Sequence, residues 1–454
     1  MTIPVCIIGS GYSAAALTLH LLARGMAPAD LAIVGPGPLG QGQAYGCVSD
    51  DFRLNVRAEL MRLWPDQPDH FATWARLSIT DDPAAGTDVG MFYRRRDFAS
   101  YMAAQLGAAS GTATIRRHEC LAQTIAGTED GWQVTLADGT TLAAARIIIA
   151  TGNPAPEWPM ASPPVDAPGL VRVPWRGDWP DRIRTDATVL IIGGGLTALD
   201  ALHTLHRRGH RGSITVICPE GMLPPVQTGW QDAPPVTWPT PLRGSGFLRF
   251  MRHHVGDRDW SRTEWQRRFE SLRVHISAAW QTLPDTDQTR LMRRLGWLWS
   301  LARFRAGPQA SNSAQTLIDS GQLTIRRNIV TGLATSTEDR HLVSLGSGTT
   351  IKADAVINCS GAGRDRLITR LISDGIAAPH HTAPHRPRLT ADLALIGPDG
   401  TAYDNLHAVG PVTAHVVGDI LGAASISRQA VGLADRLVEC NRMTSPRPAR
   451  RNRT

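Results

Sequence analysis

The sequence predicts an α/β chain built as two parallel-sheet units, and three observations carry that prediction. The first is an apolar, β-branched run at the start of the chain that passes through G-x-G-x-x-A into a helical pattern, Pro4–Ala14 (PVCIIGSGYSA). The second is the same arrangement at Thr188–Ala198 (TVLIIGGGLTA). The third is an echo downstream of each. Trp132–Leu136, a turn at Asp138-Gly139 and Thr141-Leu142 lead to Arg146–Gly152 (RIIIATG); Leu342–Leu345, a turn at Gly346–Gly348 and Thr350-Ile351 lead to Ala355–Gly361 (AVINCSG). Each echo reads as a hairpin followed by a buried strand that stops at a small residue and a glycine.

The spacing within each fingerprint has a physical meaning. Gly9 and Gly193 permit the tight strand-to-helix turn, and Gly11 and Gly195 let backbone approach a pyrophosphate. Ala14 and Ala198 allow close helix packing, with Ser13 and Thr197 beside them in the first helical turn. The helix N-terminus then offers unpaired N–H groups to the phosphates. Two such Rossmann-like fingerprints imply two bound dinucleotides, and hydride transfer between nicotinamide and flavin is the usual reason to hold both.

The order of these segments resembles two-dinucleotide flavoproteins, in which an FAD domain is interrupted by an inserted NAD(P) domain. Thr151-Gly152 and Gly361 match the places where such chains leave and re-enter the FAD domain. Further stretches resemble a narrower family of FAD/NAD(P)-binding proteins related to flavin-dependent N-hydroxylases and Baeyer-Villiger (class B) monooxygenases. They are Gly40–Gly46 (GQGQAYG), Leu54–Ala58 (LNVRA), Pro65–Phe71 with Trp74, Tyr93–Phe98 (YRRRDF), Gly193–Leu205 and Leu406–Pro411 (LHAVGP). The resemblance implies an NAD(P)H-using, FAD-dependent monooxygenase that oxygenates a small amine or carbonyl compound through a flavin C4a-(hydro)peroxide, in specialised biosynthesis. It also implies that Leu54–Ala58 lies near the flavin ring, with Asn55 and Arg57 as the catalytic candidates, and that Gly410-Pro411 brings backbone to the flavin. An oxidase or dehydrogenase of a small amine or alcohol, and a non-catalytic flavin-binding partner in a biosynthetic complex, stand as alternatives.

Composition narrows the classes. At 454 residues, 42% hydrophobic and 19% charged, the chain is of ordinary globular type and long enough for two or three domains. No apolar run nears the roughly 18 residues of a membrane span, and the start lacks the basic region of a signal peptide. A cytoplasmic protein is expected, with a small molecule and O₂ as partners, neither nucleic acid nor membrane, and the oligomeric state open. Its net charge of +7 comes from basic residues that are almost wholly arginine, since Lys352 is the single lysine; the arginines are dispersed, which argues against nucleic acid, and Schiff-base chemistry would depend on Lys352, whose place in a predicted hairpin argues against it. The six cysteines include no C-x-x-C pair, which argues against a disulfide reductase. His380, His381 and His385 sit among prolines without metal-ligand spacing, so no metal site is expected.

In chain order, residues 1–160 are expected to form the first part of the FAD domain, with a helix at Ser13–Arg24. The proline-rich stretch 153–187 reads as an extended linker. The NAD(P) domain is expected over 161–330, the FAD domain again over 331–443 with a closing helix at Ser427–Arg442, and a disordered basic tail over 444–454. Within the second unit, 258–306 reads as a helical insertion: Trp265, Phe269, Leu272, Ile276 and Trp280, then Leu291, Leu295, Leu298 and Trp299, recur at helical spacing. Such a stripe suits either a core or a lid.

Both fingerprints lack one usual feature. The strand Leu31–Val34 runs into Gly35-Pro36-Gly37 with no carboxylate for a ribose, so the first dinucleotide is expected to be held through pyrophosphate and ring contacts. After Ile214–Cys218 comes Pro219-Glu220. Glu220 suits a ribose hydroxyl and repels a 2′-phosphate, which favours NADH at least as well as NADPH.

Overall fold

The structure is a computed structural model. It describes the chain except residue 1, 48, 111–113, 163–165, 177, 230–233, 241, 257–263, 336–339, 418–421 and 445–454. The basic tail therefore lies outside the described residues.

The first unit is laid down by β1 (Ile3–Ile8), α1 (Tyr12–Ala23), β2 (Leu31–Val34), α2 (His70–Ser78), α3 (Arg95–Ser110), β3 (Arg116–His118), the hairpin β4 (Ala122–Thr128) and β5 (Gly131–Leu136), and β6 (Thr141–Ile149). Strand β1 sits centrally because every residue from Val5 to Ile8 is buried, which only a strand covered on both faces tolerates. It pairs in parallel with β2 and β6, and β2 pairs in parallel with β3.

The second unit follows as β7 (Leu170–Val171), β8 (Val189–Ile192), α4 (Leu196–Arg207), β9 (Ile214–Cys218), the helices α5 (Gly244–Val255), α6 (Glu264–Arg273), α7 (Ile276–Gln281) and α8 (Asp285–Arg303), then α9 (Pro308–Asp319) and β10 (Leu323–Arg327). A three-stranded antiparallel sheet, β11 (Val330–Thr335), β12 (His341–Leu345) and β13 (Thr350–Ala353), leads to β14 (Ala355–Asn358). The second parallel sheet has the order β10-β9-β8-β14-β7.

Here the expected boundary moves. The sequence places residues 331–358 in the returning FAD domain, yet β14 pairs in parallel with β8, Val189 with Ala355 through Ile192 with Asn358. The hairpin and buried strand thus complete the second unit, as β5 and β6 complete the first. The return comes after Gly361: α10 (Arg366–Ser373), β15 (Ala394–Ile396), β16 (Ala402–Ala408) and α11 (Ala423–Thr444) belong to the first unit. Strand β16 joins β6 in parallel, and α11 packs on α1, where the Tyr12 hydroxyl donates to the Ala423 carbonyl at 3.0 Å.

Two further expectations shift. The proline-rich stretch contributes β7 to the second sheet's edge, beside β14. The helical insertion begins earlier than 258, at Gly244, and the aromatic stripe is divided where α6 ends at Arg273 and α7 starts at Ile276.

The two units share packing. Cys47 and Phe52, from the first unit, are buried in the second unit's core beside Ala198, Leu202 and Ile357.

Candidate functional site

Each fingerprint builds the same local geometry. Gly9 has φ +128°, and a β-carbon there would lie 2.2 Å from the Ala150 carbonyl oxygen. Gly193 has φ +103°, and its β-carbon would lie 2.2 Å from the Cys359 carbonyl oxygen. In both cases the turn runs directly over the end of the neighbouring strand, so only glycine fits. The next glycines differ. A β-carbon on Gly195 would meet nothing within 4 Å, and one on Gly11 would meet only the Gly42 α-carbon at 3.7 Å. Gly11 and Gly195 are the N-caps of α1 and α4, both extended, and neither helix has a side-chain cap. An uncapped helix N-terminus with open space over its glycine is a cradle for a pyrophosphate, so the residues present fit a dinucleotide at each unit. Ala14 and Ala198 are fully buried where their helices meet the sheets.

At the first unit, the C-terminal segment closes on α1. A β-carbon on Gly410 (φ +86°) would lie 2.1 Å from Ser13 Oγ. Gly410 N–H donates to Gln429 Oε1 at 2.6 Å, Gln429 Nε2 donates to Thr413 Oγ1 at 2.8 Å, and Thr413 Oγ1 donates to the Gly410 carbonyl at 2.9 Å. Pro411 is buried, and its carbonyl accepts from Arg386 Nη1 at 2.8 Å. Thr151 Oγ1 donates to Asp365 Oδ2; that carboxylate's other oxygen caps α10 through the N–H groups of Leu367 and Ile368 at 2.9 and 3.2 Å. Thr151 therefore offers a cofactor its backbone, its hydroxyl being turned to Asp365. Gly152 (φ +72°) and Gly361 (φ +110°) each stand at a chain exit with open space beside them.

The Asn55 loop lies at the seam between the units. Leu54 N–H donates to the Tyr93 carbonyl at 2.9 Å, and Arg53 Nη1 donates to the Phe92 carbonyl at 2.9 Å. A β-carbon on Gly307, in the second unit, would come within 3.4 Å of the Leu54 carbonyl oxygen. Asn55 and Arg57 are half-buried, and the Arg57 side chain packs on Gly90. The structure thus brings Gly410 against Ser13 on α1, with Ala14 and Pro411 next to them in the chain, and sets Asn55 and Arg57 on a loop whose Leu54 carbonyl approaches Gly307 of the second unit.

The three arginines of Tyr93–Phe98 take different partners around that loop. Arg94 is buried and holds Asp81 at 2.6 Å and Asp97 at 2.9 Å. Arg95 donates to the Arg53 carbonyl at 3.0 Å and reaches Asp200 on α4 at 2.6 Å. Arg96 meets Asp50 at the surface. Asp200 is fully buried, and burial outweighs Arg95 in raising its pKa to about 6. Sequence reasoning missed Arg95, Asp200, Asp365 and Arg386. Only Asp365 had a local signal, an aspartate immediately ahead of an amphipathic run.

At the second unit, Thr197 and Glu220 are half-buried. Arg207 and Arg208, at the opposite end of β9 from Glu220, face Asp51 and Asp181. The arginine that does come to the Pro219-Glu220 turn is Arg327, whose Nε donates to the Pro219 carbonyl at 3.3 Å. Among the described residues there is no cluster of three metal-ligating side chains, and no helix is long and apolar enough to cross a membrane.

Comparison with known proteins agrees with this architecture. Residues 6–154 match the family model described as FAD-NAD(P)-binding. No curated protein matches the sequence. Among solved structures, the reduced form of ornithine hydroxylase from Pseudomonas aeruginosa is 15% identical with a TM-score of 0.63, over 97% of this chain and 99% of that one. Ornithine N-hydroxylase from Kutzneria sp. 744, with reduced FAD, NADP⁺ and L-ornithine, is 13% identical with a TM-score of 0.61, over 97% and 100%. Bacillithiol disulfide reductase from Bacillus cereus is 15% identical with a TM-score of 0.54, over 97% and 100%. Residues 6–154 thus resemble an FAD-NAD(P)-binding domain, and over 97% of its length the chain shares the fold of these solved structures.

Proposed function

We propose that the chain is an NAD(P)H-dependent FAD monooxygenase acting on a small amine or carbonyl compound. The observation that carries the reading is the pair of open, uncapped glycine N-termini at Gly11 and Gly195, held in one frame by the buried Arg95–Asp200 contact. When bound, FAD supplies acceptance of hydride from reduced nicotinamide and activation of O₂. The chain's own residues do the rest. The N-terminal N–H groups of α1 and α4 bind the two pyrophosphates. Gly410 and Pro411 present rigid backbone toward the flavin. Asn55 and Arg57 line the seam, where Asn55 offers a neutral hydrogen-bonding amide and Arg57 a cation for negative charge that develops there.

The cysteines favour this reading over disulfide reduction. Cys6, Cys47, Cys218 and Cys359 are buried and free, and burial raises each thiol's pKa, that of Cys6 to about 12. A buried, protonated thiol is a poor attacking group. The test is product analysis under heavy-isotope O₂ with NADH or NADPH. Incorporation of one oxygen atom into the substrate supports the monooxygenase; hydrogen peroxide with a dehydrogenated, unlabelled product would identify an oxidase.

A further inference from the structure

The helical insertion forms an open-mouthed cavity of about 430 Å³ between α5–α8 and two first-unit segments, Thr382–Arg386 and Ala414-His415. Its walls are chiefly aromatic and aliphatic: Phe247, Trp265, Phe269, Trp280, Leu295 and Trp299 line it. The stripe predicted from sequence is therefore both the insertion's core and the inner face of a chamber. Trp265 and Phe269 pack with Ala302 and Trp299, while Phe247 and Trp280 belong to a second cluster around Leu272.

The charged side chains among the described residues of that wall are of one sign. No described lining residue is Asp or Glu, whereas Arg252 and Arg386 are present. Arg386 is half-buried and anchored to the Pro411 carbonyl, which ties the chamber to the loop expected at the flavin. Burial lowers its pKa, with Asp365 the charge that opposes this, so an anion in the chamber gains from meeting it. His415, which also lines the chamber, donates from Nε2–H to the Pro387 carbonyl at 2.6 Å, and burial lowers its pKa to about 3, leaving it neutral. Among the described lining residues a cationic diamine finds no counter-charge, and an apolar chamber of this volume is within the range that small-molecule sites occupy.

We propose that this chamber binds a monocarboxylic acid with a large apolar body, the body among the tryptophans and the carboxylate at Arg386. As a substrate site it rests on the monooxygenase reading, in which such an acid takes the place of the small amine or carbonyl compound; as a binding site it stands apart from that reading.

Calorimetric titration of the full chain with decanoate, decanol and cadaverine tests it. Decanoate is expected to bind at least about tenfold tighter than decanol, the order of effect of one well-placed charge partner, and cadaverine not to compete. Arg386→Gln should erase the preference for decanoate over decanol, with Arg386→Lys restoring part of it. Ser277→Phe, which fills the chamber from α7 and leaves the Arg386 side chain itself unaltered, should weaken both ligands and remove the quenching of tryptophan fluorescence expected on binding. Equal affinity for acid and alcohol in the unaltered protein, displacement by cadaverine, or binding indifferent to Ser277→Phe would overturn the proposal. If decanoate binds as expected while reduced nicotinamide never bleaches the flavin, the chamber stands and the monooxygenase reading falls; bleaching without decanoate binding gives the reverse.

Discussion

The carboxylate of Asp200, on the helix that leaves the second fingerprint, lies 2.6 Å from the guanidinium of Arg95 in the first unit. Both side chains are almost wholly buried, so this contact joins the two dinucleotide-binding units in a medium of low dielectric.

Its pH dependence follows from the direction of the shift. The folded-state pKa of Asp200 rises to about 6 from an ordinary value of 3.8, so the folded protein holds this proton more tightly than the unfolded chain. A raised carboxylate pKa favours folding below the unfolded value, and that contribution is lost as pH rises toward the folded one. Relative to Asp200→Asn, the wild-type unfolding midpoint is expected to fall between pH 3.8 and about 6 and to run parallel above it. Arg95→Ala strands the buried carboxylate, at a cost of about 3–5 kcal/mol near neutrality, and less at low pH. Denaturant melts across that range check both; a flat difference curve would show that Asp200 stays ionised.

The four fingerprint glycines should separate by role. Gly9→Ala and Gly193→Ala drive a β-carbon to 2.2 Å from a carbonyl oxygen, and each is expected to lower stability by roughly 3 kcal/mol or more. Gly11→Val and Gly195→Val meet no such obstacle and should fold. The first is expected to lose its flavin because the side chain occupies the pyrophosphate's path. Thermal melts alongside flavin content distinguish the pairs, and a folded Gly11→Val with stoichiometric FAD would refute the assignment.

A third expectation concerns the closing segment. Gly410→Ala should destabilise the first unit and weaken flavin retention, because its β-carbon would lie 2.1 Å from Ser13 Oγ and 2.8 Å from Ser13 Cβ. Ser13→Ala leaves the second clash in place, whereas Ser13→Gly removes both. Recovery of the melting temperature in the Gly410→Ala/Ser13→Gly double variant, and not in Gly410→Ala/Ser13→Ala, is the expected pattern.

For the nicotinamide, Glu220 remains the acid at the end of β9, and Arg207 and Arg208 are directed to Asp51 and Asp181 instead of folding back over it. NADH is expected to serve at least as well as NADPH. Glu220→Arg should move the ratio of kcat/KM toward NADPH by about tenfold or more, equivalent to ~1.4 kcal/mol. Arg327, beside Pro219, is the cation able to oppose this. A strong wild-type preference for NADPH that Arg327→Ala abolishes would reassign the selectivity to it.

What the sequence made legible is what local chain chemistry determines. Glycine spacing identified both strand-to-helix turns, and Gly152 and Gly361 marked both chain exits, because a tight turn leaves its signature within a few residues. The return to the first sheet was placed too early, at 331, because the partner of Ala355–Asn358 is decided by long-range pairing with Val189–Ile192. The Arg95–Asp200 and Thr151–Asp365 contacts span 105 and 214 positions, so no local pattern announces them. The tryptophan stripe was visible as periodicity; that its helices stand apart around a cavity depends on how α5–α8 meet Thr382–Arg386, which periodicity does not encode.

In the proposed reaction, nicotinamide at the second fingerprint reduces flavin held at the first. Anaerobic rapid mixing of the FAD-loaded protein with NADH and with NADPH, following flavin absorbance, tests it most directly. The unaltered protein should bleach with at least one of the two, and Gly195→Val, with full flavin content, should bleach at least about tenfold more slowly, as expected when a bound dinucleotide loses its pyrophosphate contacts. Equal bleaching rates in the two proteins, or flavin that stays oxidised with either nicotinamide, would contradict the account.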